Sequence, residues 1–292
     1  MEWKNPWLER RVLQYAHQGG AREAPSSTLF ALRRAVAVGA HALELDVHRT
    51  ADGVLVVCHD ETVDETTNTS GAIAEMTLAE LRALDNAFWW TQNLAVDQHS
   101  DHGAAPDAFT LRGRFPTETE FGIATLEEVL REFSDVYINL DIKQTSPDVV
   151  AYEHQLADAL RSFGRTNDVI VASFHDLALE RFRAYAPEIH TSLGPTQTLE
   201  AADLLWEGKQ IPKAAPGQVA FQIPMRFDGE VVVTPNLVQA AHDSGYAVHV
   251  WTIDDPADMT ELALSGVDGI MTDCPGVLAE VLKNLEFSSV RP

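Results

Sequence analysis

Short runs of β-branched and other apolar residues alternate along the chain with longer stretches of helical period. That alternation predicts βα units built around a parallel sheet. The runs are Val12–His17, Ala42–Arg49, Val54–His59, Val136–Lys143, Val169–His175, Ile189–Gly194, Gln218–Pro224, Ala247–Asp254 and Gly269–Asp273. Val54–His59 follows Asp52–Gly53, a two-residue turn signal, and reads as a hairpin partner of the run before it. Eight main strands remain, the number that closes a (β/α)8 TIM barrel. The expected fold class is therefore α/β, a TIM barrel with an inserted segment after the second barrel strand.

Helical stretches fall between these strands. The first is expected to begin near Ser26–Ser27, which can cap it, and to stop at Gly39, with Leu29, Leu32 and Val36 on one face. The others are Leu126–Phe133, Val149–Phe163, Leu177–Tyr185, Leu199–Trp206, Asn236–Ser244, Pro256–Ser265 and Pro275–Leu285. From about Asp60 to Gly122 the rhythm breaks. This stretch is polar, contains Phe88–Trp89–Trp90, and is too long for an ordinary connection. It reads as an inserted subdomain, at about 60–122, within a single domain spanning 1–292.

Two strands depart from the continuous apolar pattern of parallel sheets. In Leu43–Glu44–Leu45–Asp46–Val47 the aliphatic residues take one face and the carboxylates the other. In Val136–Lys143 the even positions are aliphatic, while Asn139, Asp141 and Lys143 share the opposite face. The aliphatic faces must pack under the helices, which sends the charges into the barrel. Unpaired buried carboxylates cost several kcal/mol each. Asp141 can pair with Lys143, but Glu44 and Asp46 then need either arginines from elsewhere or a hard divalent cation, for which oxygen ligands are suited.

The chemistry at the strand ends extends this picture. His17 ends the first strand ahead of Gly19–Gly20, a pair that permits close backbone approach to a ligand, and His59 ends the hairpin strand. Barrel enzymes work at the C-terminal strand ends, so both imidazoles can stand near the carboxylates and serve as an acid–base pair. The formal net charge of −23 over 292 residues argues against nucleic acid and against anionic membranes as partners. Cys58 and Cys274 are too few for a disulfide scaffold and are expected to pack as small apolar residues rather than to bind zinc. Met1–Arg11 carries Trp3 and Trp7 but no apolar core of a signal peptide, and no run is long enough to span a bilayer. The expectation is a reduced, cytoplasmic protein without stable membrane insertion. The oligomeric state leaves no trace in the pattern.

The motifs resemble those of the glycerophosphodiester phosphodiesterase family over most of the chain. They are His17–Gln18–Gly19–Gly20–Ala21–Arg22–Glu23–Ala24–Pro25 with Thr28, then Gly39–Ala40 through Leu43–Val47 to Thr50–Gly53 and Val57–Asp60. Thr66–Thr67, Gly71, Met76–Thr77 and Glu80–Leu81 continue the series. Asn139–Lys143, Val250–Trp251–Thr252 and Gly266–Asp273 complete it. The resemblance implies that His17 and His59 are catalytic and that Glu44, Asp46 and Asp141 hold one divalent cation, Mg2+ or Ca2+. It implies that Lys143 contacts phosphate, that Trp251 lines the substrate pocket, and that segment 60–122 lies over the site. The implied reaction converts a small glycerophosphodiester, such as glycerophosphocholine or glycerophosphoethanolamine, to sn-glycerol 3-phosphate and an alcohol.

Three positions depart from the family pattern. Gln18 stands where an arginine usually binds phosphate, so either phosphate is held more weakly or Arg22 substitutes. Ser26–Ser27 replaces an acidic–asparagine pair, and Asp141 replaces a more common glutamate. Two other readings accompany the first. In one, the chain acts as a lysophospholipase D, with Phe88, Trp89, Trp90, Phe109, Phe115 and Phe121 holding an acyl chain unless they form the core of the insert. In the other, Gln18 marks a barrel that binds phosphodiesters with weakened catalysis.

Overall fold

The structure, a computed structural model, describes residues 4–9, 12–92 and 106–287. Eight parallel strands close into a barrel. They are β1 (Leu13–His17), β2 (Ala42–Arg49), β4 (Tyr137–Ile142), β5 (Val169–Ala172), β6 (His190–Ser192), β7 (Gln218–Pro224), β10 (Ala247–Trp251) and β11 (Gly269–Thr272). The ladder runs β1-β11-β10-β7-β6-β5-β4-β2, and a β1–β2 pairing closes it. β3 (Leu55–Val57) returns antiparallel on the C-terminal half of β2, as the Asp52–Gly53 turn predicts. A short hairpin, β8 (Arg226–Phe227) with β9 (Glu230–Val231), follows β7 at the mouth. Its Asp228–Gly229 turn was a readable hairpin signal, although the flanking strands are only two residues each.

The helices are α1 (Leu29–Ala37), the single-turn α2 (Leu78–Leu81), α3 (Leu126–Glu132), α4 (Glu153–Ser162), α5 (Asp176–Tyr185), α6 (Pro195–Trp206), α7 (Pro235–Ser244), α8 (Pro256–Ser265) and α9 (Pro275–Asn284). Pro195, Pro235, Pro256 and Pro275 each open a helix, where the missing N–H has no partner to lose. The cap of α1 is Thr28, whose hydroxyl accepts from the Ala31 N–H, and not Ser26 or Ser27. Ser27 sits at φ 59° with its N–H tied to the Gln18 carbonyl, so it belongs to the preceding loop.

Several strands end before their apolar runs do. Ser173 leaves the β5 ladder because its hydroxyl donates to the Ile142 carbonyl, and the chain then turns into α5. The apolar faces of β2 and β4 pack under α1, α3, α4 and α5 through Leu43, Leu45, Leu140, Leu32, Val129, Leu156 and Phe182. A second layer joins β7, β10 and β11 to α7, α8 and α9.

The floor of the barrel is filled from the N-terminal segment. Trp7 is fully buried against Tyr15, Tyr137 and Ala247, and its indole N–H donates to His190 Nδ1 at 3.0 Å. This tryptophan is therefore a core residue. Trp3 lies outside the described residues. Within segment 60–122, Val63, Ile73, Leu81 and Leu84 pack with Val56 and Cys58 of the hairpin, so the segment shares its core with the barrel. Residues 93–105 of that segment lie outside the described residues.

Candidate active site

The C-terminal strand ends open into a cavity of about 750 Å3. His17, Gln18, Glu44, Asp46, His59, Asp141, Lys143 and Trp251 all line it. The register explains how. His17 pairs with Glu44 across β1 and β2, Glu44 with Asn139 and Asp46 with Asp141 across β2 and β4. Neighbours in register point to the same side of the sheet, so these side chains are delivered inward together.

His17 donates from Nδ1 to Asp273 Oδ1 at 2.7 Å and turns Nε2 toward Glu44 Oε2 at 3.7 Å. Burial opposes a charge on this ring, but the bond to Asp273 and the fields of Glu44, Asp273 and Asp46 outweigh it and push its pKa up to about 10. His59 bonds Asp60 through Nδ1 at 2.8 Å. Its pKa is also raised, with burial opposing and the Asp60 bond and the Asp46 charge prevailing. The two imidazole rings stand 6.2 Å apart, edge to face. Behind them His48, fully buried, bonds the His59 carbonyl and Gln144 and so holds the end of the hairpin.

The carboxylates are strained electrostatically. Burial raises the pKa of Glu44, and the neighbouring Asp46 adds to it; the same two causes raise Asp141. Lys143 Nζ lies 3.3 Å from Asp46 Oδ1 and 3.8 Å from Asp141 Oδ2. Burial disfavours its charge, but the Asp46 and Asp141 carboxylates hold it protonated. No arginine pairs with Glu44 or Asp46 among the described residues. One oxygen of each of Glu44, Asp46 and Asp141 is buried without a hydrogen-bond partner there. Three orphaned carboxylate oxygens around one cavity fit a hard divalent cation. As placed, no three such donors among the described residues converge closely enough to enclose one. The fit therefore rests on donor chemistry and on the orphaned atoms. Both cysteine thiols are pushed up to about 12, chiefly by burial; Cys58 packs in the cluster of the hairpin and the insert, and Cys274 against the layer of β7, β10 and β11.

The Gly19–Gly20 pair has a packing role. A Cβ on Gly19 would meet Ala31 Cβ at 2.8 Å and one on Gly20 would meet Pro275 Cδ at 2.6 Å, both at positive φ. The glycines let the loop after β1 lie against α1 and α9.

A model of the glycerophosphoryl diester phosphodiesterase family matches residues 17–277. The chain belongs to this family. A glycerophosphodiester phosphodiesterase of Caldanaerobacter subterraneus subsp. tengcongensis is 30% identical over 281 residues, covering 94% of this chain and 98% of the relative. A glycerophosphodiester phosphodiesterase structure from Agrobacterium tumefaciens superposes with a TM-score of 0.68 at 26% identity, covering 92% of this chain and 99% of that one. A putative glycerophosphoryl diester phosphodiesterase from Silicibacter pomeroyi gives 0.73, also at 26% identity, over 98% of this chain and all of that one. Membership in the glycerophosphoryl diester phosphodiesterase family makes this chain a phosphoric diester hydrolase with a TIM-barrel fold.

Two features of the site leave little local trace in the sequence. Asp273, the partner of His17, ends the last strand, and only its position in the Gly266–Asp273 motif hinted at a role. The other is an apolar half of the mouth. Phe174, Leu193, Leu199, Ile223, Phe227 and Trp251 line the cavity on the side of β5, β6, β7 and β10, across from the charged strands. Phe174, Leu199 and Phe227 are 66%, 59% and 60% exposed, and Phe174 meets Trp251 edge to face at 5.7 Å.

The aromatics of the insert lie elsewhere. Phe88, Trp89 and Phe109 surround the Arg112 guanidinium, Phe121 packs on Phe30, and the Trp90 indole donates to the Ala21 carbonyl. Phe115 lies against Gly122, and none of the six lines the cavity.

Proposed function

We propose that this chain hydrolyses small glycerophosphodiesters to sn-glycerol 3-phosphate and an alcohol, with His17 as general acid and His59 as general base. The observation that carries the reading is the cluster of orphaned carboxylate oxygens beside two imidazole rings 6.2 Å apart. Glu44, Asp46 and Asp141 would hold one Mg2+ or Ca2+, which supplies charge neutralisation at the phosphate oxygens. Lys143 binds a non-bridging phosphate oxygen as a point charge, and Gln18 and Trp251 contact the bound diester. His59, carried on Asp60, takes the proton of the attacking oxygen, either that of water or that of the neighbouring glycerol hydroxyl, the latter giving a cyclic phosphate that water then opens. His17, kept protonated by Asp273, delivers its Nε2 proton to the departing alkoxide.

A coupled assay for sn-glycerol 3-phosphate, with glycerophosphocholine or glycerophosphoethanolamine and each metal in turn, tests this reading. Turnover that EDTA abolishes and Mg2+ or Ca2+ restores is expected. Absence of turnover with every metal would leave the weakened binding barrel as the better account.

The apolar half of the mouth favours a second reading, lysophospholipase D activity, with the acyl chain against Phe174, Leu199 and Phe227 in place of the insert aromatics. Choline release from lysophosphatidylcholine supports it, and activity confined to water-soluble diesters removes it. No helix among the described residues is long and apolar enough to cross a membrane.

A further inference from the structure

We infer that Arg22 is the second phosphate ligand of this site, presenting its two terminal nitrogens to the diester while its Nε side is paired in charge with Asp254. This inference rests on the phosphodiesterase reading and deepens it. Beside His17 the chain carries Gln18, a buried, uncharged side chain whose amide reaches His17 Nε2 at 3.3 Å. Its oxygen has no hydrogen-bond partner among the described residues, and it brings no charge to a phosphate. Histidines aside, the cations that line the cavity among the described residues are Lys143 and Arg22. Lys143 is already drawn between Asp46 and Asp141.

Arg22 stands at the other side of the charged half, on the loop between β1 and α1. Its Nε lies 3.0 Å from Asp254 Oδ2, an ion pair without hydrogen-bond geometry, so the buried Nε–H has no hydrogen-bond partner among the described residues. A guanidinium whose Nε side faces a carboxylate turns its other edge, Nη1 and Nη2, away from that carboxylate. That planar edge matches two phosphate oxygens, which an ammonium cannot do.

The support beneath Arg22 is fixed from three directions. Asp254 accepts from the Thr272 hydroxyl at 3.0 Å and from the Asp273 N–H at 2.8 Å. The Arg22 N–H donates to the Asp273 carbonyl at 3.3 Å, and the Ala21 carbonyl receives the Trp90 indole at 2.9 Å. The Glu23 carboxylate takes the Gly276 N–H at 3.1 Å and pairs with Arg34. Ties to β11, to the insert and to α9 thus deliver the guanidinium from a rigid base beside His17, as a preorganised ligand requires. A partly exposed Arg–Asp pair contributes little to stability by itself, so removing the Arg22 charge is expected to leave the fold in place.

The test compares wild type, Arg22→Gln, Arg22→Gln with Gln18→Arg, and Arg22→Lys, all as the full chain with the activating metal. The readouts are KM and kcat for glycerophosphocholine, calorimetric Kd for sn-glycerol 3-phosphate, and thermal melting. Arg22→Gln is expected to raise both KM and Kd about tenfold or more, with a smaller change in kcat and an unchanged melting temperature. Adding Gln18→Arg is expected to recover most of the lost binding, because either position then supplies the missing charge. Arg22→Lys keeps the charge without the fork and should fall between. A Kd within about twofold of wild type in Arg22→Gln, or a loss that Gln18→Arg leaves untouched, overturns the inference. If Arg22→Gln does not fold, Arg22→Lys decides the matter, a wild-type Kd counting against. Absence of turnover by the wild type would fail the phosphodiesterase reading instead, while the calorimetry still judges Arg22.

Discussion

Replacing Asp273 by asparagine keeps the shape of the His17 partner and removes its charge. The His17 ring is only 19% exposed, so burial alone would favour its neutral form. The 2.7 Å bond to Asp273 and the surrounding carboxylates reverse that preference and lift its pKa from 6.5 to about 10. One bonded carboxylate accounts for about 1–3 pH units of such a shift. The variant should therefore lose its His17 proton about 1–3 units lower, at about 1.4 kcal/mol per unit.

Two measurements follow with a definite sign. If His17 is the acid, the alkaline limb of kcat/KM moves to lower pH by that amount. For stability, a folded-state pKa raised above 6.5 contributes fully below that pH and fades as pH climbs toward about 10. The stability difference between wild type and variant should accordingly be largest in acid and shrink through the alkaline range. A pH–rate profile and an NMR titration of the His17 ring in EDTA check both. An alkaline limb that stays in place, or moves upward, would refute the role given to the Asp273–His17 pair.

His17→Ala and His59→Ala are each expected to lower kcat by about 10²-fold or more, the usual share of acid–base catalysis. Near-wild-type turnover in either would remove its assignment. Asp46→Asn and Asp141→Asn should raise the metal concentration for half-maximal activity by about tenfold or more. An unchanged metal titration would count against both as ligands. Trp7→Ala empties the barrel floor and should cost about 3–5 kcal/mol in denaturant unfolding. A loss below about 1 kcal/mol would mean that the floor collapses to fill the space.

The strand alternation was legible because its causes are local. Period-two patterning in Leu43–Val47 and Val136–Lys143 decides which side chains enter the barrel, and neighbouring strands in register then set Asp46 beside Asp141. The Asp52–Gly53 hairpin was legible for the same reason, since turn geometry belongs to a few adjacent residues. Cap and strand ends were read less well. Ser27 and Ser173 commit their backbone or hydroxyl groups to partners on other elements, the Gln18 and Ile142 carbonyls.

What the sequence by itself determined was the barrel, the inward carboxylates of β2 and β4, and the family motifs around His17 and His59. Those follow from patterns a few residues long. Tertiary structure alone decided the rest, because it depended on closing the ring. Closure brings Asp273 to His17 across 256 positions of chain and Asp254 to Arg22 from another strand end. It gathers Phe174, Leu199 and Phe227 from three separate connections into one apolar half of the mouth, and it sets Trp7 in the floor of the barrel. Contacts between residues so distant in sequence leave no periodic trace, and only the packed ring sets which of them meet.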